Sequence, residues 1–152
     1  MDITPRLMKA VLNLYPPYLG TGIKVTSISP DWREIRVSMS LRWYNRNAVG
    51  THFGGSLYAM VDPHLMLMLM QLLGKSYVVW DQAAEIEFVK AGRTTVSAVL
   101  TVTDEDLDQI RRQTEGGQKY FASFPVLIHD RGGHLVATVK KTMYVRKKHS
   151  HQ

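Results

Sequence analysis

The chain contains no cysteine. That absence excludes disulfides, thiolate metal sites and a cysteine nucleophile, and it fits a reducing compartment such as the cytoplasm. No signal peptide is visible: Met1 to Lys9 carries Asp2, Pro5, Arg6 and Lys9 with no long apolar stretch behind it. The most apolar run, Leu65 to Met70 with Leu72 and Leu73, falls short of the roughly 20 residues that a bilayer span needs. The expectation is a soluble, cytoplasmic protein. No linker, internal repeat or low-complexity segment divides the 152 residues, which predicts a single domain over 1–152. Phosphate-loop and dinucleotide motifs are missing, and Ser56 does not sit in a G-x-S-x-G elbow. Neither a cofactor nor a metal is expected; His149 and His151 read as tail histidines rather than ligands.

What is present is a globular balance, 45% apolar and 21% charged residues. A chain of this size buries roughly 70% of its unfolded surface, enough for a core without staples. The formal charge is +6 and the pI about 9.7, which favours anionic partners: nucleic acid, anionic lipid or a phosphate-bearing small molecule. The basic residues are scattered apart from a tail of Arg146, Lys147, Lys148 and His149. No aromatic-basic interleaving appears, so nucleic acid is set aside.

Thr4 followed by Pro5 reads as an N-cap and first helical position. Leu7, Met8, Val11, Leu12 and Tyr15 recur at helical spacing until Pro16-Pro17 stop the helix. Ile23, Val25 and Ser27 alternate weakly, and Ile35, Val37, Met39, Leu41 and Trp43 alternate cleanly with polar residues, which predicts two strands. Ser29-Pro30-Asp31 is the turn between them. Ser56 to Leu73 is apolar almost all round, the pattern of a helix buried on every side. Its methionines read as core filling. Four further strands follow, around Ala84–Phe88, Val96–Val102, Tyr120–Ile128 and Leu135–Val145, the last interrupted on its apolar face by Lys141. Between the second and third lies a surface helix with Asp104-Glu105-Asp106 first and Arg111-Arg112 last, as the helix dipole favours. One apolar helix among many antiparallel strands predicts an α+β fold in which a curved sheet wraps a central helix.

The informative stretch runs from Asn47 through Gly50, Thr51, His52, Phe53, Gly54, Gly55 and Ser56 to Asp62. Two glycines stand where a loop enters the buried helix, and glycine lets a ligand approach the backbone. Free N–H groups at a helix start carry partial positive charge and can hold the oxyanion of acyl transfer. Asp62 lies about two turns, or roughly 10 Å, further on. A carboxylate near an apolar interior is suited to proton transfer.

This stretch resembles the motif of the hotdog superfamily: an Asn, a Gly three further on, Gly-Gly, a helix and an Asp. It is closest to the phenylacetyl-CoA thioesterase-like branch, and Gly-Thr-His-Phe-Gly-Gly with Asp62-Pro63 is similar to a bacterial hotdog family catalogued as a domain of unknown function. The resemblance implies an acyl-CoA thioesterase. Gly55 N–H would polarise the thioester carbonyl, Asp62 would be nucleophile or general base, and Asn47 of a neighbouring subunit would orient water or substrate. It implies a homodimer with shared sites, pairing in some members into a tetramer. Gly54, Phe53 and Ser56 would line the substrate site; Lys90, Arg93 or Arg146 to Lys148 would meet the phosphates of coenzyme A. In one departure, Phe53 stands where related thioesterases carry histidine, with His52 one place earlier.

Other readings stay open. Gly54-Gly55 also suits a tight start to a helix, Asn47 a turn, His52 an ordinary loop, and Asp62-Pro63 an N-cap and first-turn proline opening a second helix. In that case the carbonyl of Ala59 loses its usual donor. Hotdog folds also host dehydratases and non-catalytic acyl-CoA or lipid binders, and fold alone does not choose among them.

Overall fold

The computed structural model describes residues 3–149, so His151 lies outside the described residues. The Thr4 hydroxyl accepts from the Leu7 amide at 3.2 Å and caps α1 (Pro5–Leu14). Pro16 forces Tyr15 into an extended conformation (φ −64°, ψ 124°), which ends α1. The same proline then opens α2 (Pro16–Thr21), because proline is well placed in a first helical turn. The Pro-Pro pair is thus both a stop and a start, and α2 is an element that periodicity does not signal. Gly22, at φ 74°, turns the chain into the sheet.

Six strands follow: β1 (Ile23–Ile28), β2 (Glu34–Met39), β3 (Tyr77–Phe88), β4 (Val96–Thr101), β5 (Lys119–Asp130) and β6 (Leu135–Lys147). They form one antiparallel sheet in the order β1-β2-β4-β5-β6-β3. Inward residues alternate as expected on β5, where Ala122, Phe124, Val126 and Ile128 are buried. Helix α5 (Asp104–Gln113) carries a capping box, Thr103 with Asp106, and buries Leu107 and Ile110. The supposed tail is the end of β6, and Lys148 is tied back to the carbonyls of Lys75 and Ser76 at 2.8 Å each.

The second strand is shorter than its alternation suggests. It stops at Met39, and Trp43 is 80% exposed. Buried Asn45 takes over the local backbone: its amide donates to the carbonyls of Ser40 and Thr21 at 2.8 Å each, and its oxygen accepts from the Arg42 amide at 2.7 Å. Those bonds curl residues 40–45 into a turn that the ladder would otherwise continue through.

The central segment, Gly54–Leu73, is longer than its most apolar run. At 20 residues and mean hydropathy 1.2 it is long and apolar enough to cross a membrane. Here it lies in the core, with Leu57, Met60, Val61, Leu65, Met68 and Leu69 buried. It is two helices, α3 (Gly54–Ala59) and α4 (His64–Leu73), joined by a turn at residues 60–63. Nor is it covered on every side. Tyr58, Ala59, Asp62, Pro63, Met66, Leu67 and Met70 keep partial exposure, since the sheet ends at the edge strand β3.

Candidate active site

The sequence-selected residues fall into two groups. The first lines a cavity of about 370 Å³ bounded by Asn47, Thr51, His52, Gly54, Leu57 and residues 88–92. Asn47 is committed to its own loop: its amide donates to the Thr51 hydroxyl at 2.9 Å, while its oxygen accepts from the amides of Val49 and Thr51 at 3.1 and 3.0 Å. This is an Asx turn, the local chemistry that asparagine favours. His52 is 3% exposed and turned into the fold, with Nε2 2.7 Å from the Thr94 carbonyl. Burial lowers its pKa, and the Thr94 carbonyl opposes that only in part. Lys90, on the rim, is ion-paired with Asp130 at 3.2 Å, and Arg93 is exposed nearby.

The two glycines stand beneath aromatic rings. A Cβ on Gly55 would meet the Phe53 ring at 2.6 Å, and one on Gly54 would meet the Phe88 ring at 2.9 Å. Both rings are more than half exposed, at 56% each. Phe53 occupies the N-cap position of α3 and offers no side-chain cap. Its carbonyl accepts the amides of Ser56 and Leu57 at 3.0 and 3.2 Å, and Ser56 itself is buried. The amides of Gly54 and Gly55 precede that first turn and have no carbonyl to reach within the helix.

The second group surrounds Asp62 and lies outside that cavity's lining. The helix does break at Asp62-Pro63, yet the Asp62 side chain caps nothing. Its Oδ1 accepts from the Tyr58 hydroxyl at 2.8 Å and from Lys141 Nζ at 3.2 Å. The same ammonium reaches the Asp62 carbonyl at 2.9 Å, the Tyr58 hydroxyl at 3.3 Å and Asp81 Oδ1 at 2.6 Å. Lys141 is fully buried, whereas the Asp62 carboxylate is 48% exposed and that of Asp81 27%. Asp62 is therefore not a carboxylate in apolar surroundings; it is the open end of an ionic cluster. Burial alone would push the Lys141 ammonium down, but Asp81, then Asp62 and Tyr58, together hold it above the ordinary lysine range. Burial raises Asp81, and Lys141 offsets part of that rise.

Lys141, Asp81 and Tyr58 are the residues that motif reading misses. Lys141 left a trace, as a charge on an otherwise apolar strand face. Asp81 left none, because the first half of β3 does not alternate.

A curved antiparallel sheet laid on a central helix with this topology is the hotdog fold of thioesterases, and solved structures agree. A Pseudomonas aeruginosa protein of unknown function, described as a probable thioesterase, superposes with a TM-score of 0.81 at 17% identity, covering 97% of this chain and 98% of that one. A thioesterase from Haemophilus influenzae gives 0.69 at 14%, over 99% and 97% of the two chains. The E. coli PaaI protein of the phenylacetic acid degradation operon gives 0.62 at 16%, over 94% and 93%. At such identities the likeness is one of fold. No curated protein matches the sequence. Residues 4–145 match the family described as domain of unknown function DUF4442, and the chain belongs to that family.

Proposed function

We propose that this chain is an acyl-CoA thioesterase. Water attacks the thioester carbonyl carbon, Asp62 accepts the water's proton, the carbon–sulfur bond breaks, and the departing thiolate takes a proton to leave as coenzyme A. The observation that carries this reading is the Asp62 carboxylate. One oxygen is pinned by two donors, and the other accepts none of the hydrogen bonds among the described residues. A base held by a third group and open on its reactive side fits general-base chemistry. The amide of Gly55 supplies a donor for the developing oxyanion. Asp62 and the Asn47 cavity are separate within one chain, so the site is completed by a second subunit. The dimer joins through the free edge of β3, and dimers can pair further into a tetramer. Lys90, Arg93 and the basic end of β6 meet the phosphates of coenzyme A, and the surplus of positive charge attracts that polyanion.

A second reading is a non-catalytic acyl-CoA or lipid binder. It is favoured by the Phe53 ring over Gly55 and by His52 bound to Thr94 instead of facing the glycines. Thiol release measured across acyl-CoA chain lengths separates the two. Saturable release supports the enzyme; calorimetric binding of acyl-CoA without release supports the binder and removes the enzyme.

A further inference from the structure

Lys141 interrupts an inward face of β6 that otherwise carries Val139, Met143 and Val145, all buried. An apolar side chain there would continue the core. Burying a charge carries a desolvation cost of several kcal/mol, and replacing a buried ion pair by apolar groups is often neutral or stabilising. Stability is therefore a weak reason for an ammonium at this position, and the geometry supplies a better one. The single Nζ binds Asp62 twice, at the backbone carbonyl (2.9 Å) and at Oδ1 (3.2 Å). The carbonyl contact fixes where the residue sits in the turn between α3 and α4; the Oδ1 contact fixes how its carboxylate is rotated. Asp81 Oδ1 lies 2.6 Å from the same ammonium, so a second carboxylate restrains Lys141 from following Asp62 if that side chain rotates. Tyr58, one helical turn before Asp62, donates to the same oxygen. Being fully buried, Lys141 does not reach a substrate itself.

From this geometry we infer that Lys141 is a positioning residue: anchored by Asp81, it locks the backbone and carboxylate of Asp62 so that Oδ2 faces the open side of the helix. The inference deepens the thioesterase reading and rests on it for its chemical meaning, but the lock itself is a structural claim.

The test uses the full chain and the double variant Lys141→Met/Asp81→Asn, which removes the ammonium together with the charge it would strand. Lys140→Met, one residue away on the exposed outer face of β6, is the control. Two quantities are measured: kcat and KM for thiol release from acyl-CoA, and the χ1 rotamer of Asp62 from three-bond couplings in solution. The double variant is expected to lose about 100-fold in kcat, the scale on which a misplaced reacting group acts. Its KM should stay near that of the parent, and Asp62 should pass from one rotamer to an average of several. The control leaves both unchanged. A single, unaltered rotamer in the double variant overturns the inference, as does a loss that falls wholly in KM. Should the double variant not fold, Asp81→Asn alone removes the anchor and leaves the ammonium paired with Asp62; there, wild-type kcat with one fixed rotamer overturns the anchored lock. If the parent chain releases no thiol from any acyl-CoA, the thioesterase reading fails, and the rotamer measurement alone decides the role of Lys141.

Discussion

The hydroxyl of Tyr18 stands 3.2 Å from the carbonyl oxygen of Ala59, the acceptor that Pro63 leaves without its helical donor. The same hydroxyl lies 2.8 Å from Nε2 of His64, and that nitrogen is 3.1 Å from the Met60 carbonyl. A proton on Nε2 serves both contacts, while the Tyr18 proton serves Ala59. The carbonyl freed by the proline and that of Met60 beside it are thus both met by side chains, one from α2 and one from the first residue of α4. The break that exposes Asp62 is held open by residues on its opposite side.

Tyr18→Phe should therefore destabilise the fold without touching the site. It leaves the part-buried Ala59 carbonyl with only the long 3.4 Å bond from the Asp62 amide and takes a partner from the buried His64 ring, at a cost of about 1 kcal/mol. Urea unfolding measures this; an unchanged midpoint would show that the Ala59 carbonyl does not need the hydroxyl.

His64 makes stability depend on pH. It is fully buried, and burial, opposed only partly by the Met60 carbonyl and Asp62, lowers its pKa from 6.5 to about 4. A base depressed in the folded state contributes stability that is complete above its unfolded value and lost as pH falls towards the folded one. The window is pH 6.5 to 4, and the loss is about 3 kcal/mol. Asp81, raised by burial, works in the opposite direction, so the comparison is differential. Unfolding free energy at pH 7 minus that at pH 4 should shrink in His64→Gln relative to the parent. Equal differences in the two proteins would clear His64.

Asp62→Asn keeps an oxygen to accept from Tyr58 and loses the carboxylate. Lys141 is fully buried but keeps Asp81 as counter-ion, so the lost pairing should cost about 1.5–3 kcal/mol, the scale of a hydrogen bond to a charged group. Thioester hydrolysis should fall at least 100-fold, because a positioned general base contributes about 10²–10⁴. Hydrolysis at the parent rate would remove Asp62 from the mechanism.

The twelve residues of β3 form one free edge of the sheet. A long free edge invites pairing, and the expected partner is β3 of a second copy, giving one continuous sheet. Sedimentation at micromolar concentration should show a dimer. A monomer there would sink the shared-site proposal along with the sheet.

Much of the fold was legible because its cause is local. Residues 122, 124, 126 and 128 alternate because only one side of β5 meets the core. Asp104 to Asp106 and Arg111-Arg112 announce α5 because acids suit the start of a helix and bases its end. Asp62 was picked out by its spacing from Gly-Gly. What escaped depends on register between distant strands. Lys141 pairs across the sheet with Ala84, and a bulge between Asp81 and Ala83 brings Asp81 within reach of its ammonium. No spacing along the chain encodes that. Asn47 shows the converse, since its bonds to Val49 and Thr51 are of the local kind that its residue type suggests.

The order of elements has a consequence for synthesis. The ribosome makes β1 and β2, then the membrane-length stretch Gly54–Leu73, and only afterwards β3 to β6, which complete its covering. At roughly 5–20 residues per second, several seconds separate Leu73 from Lys141. Throughout that interval the nascent chain carries a segment that passes for a membrane anchor, with Asp62, its one Asp, Glu, Lys or Arg, still without its counter-ion. A carboxylate near the middle of such a stretch costs about 2.5–3.5 kcal/mol to place in a bilayer, and a proline interrupts its helix, so both residues oppose insertion during synthesis.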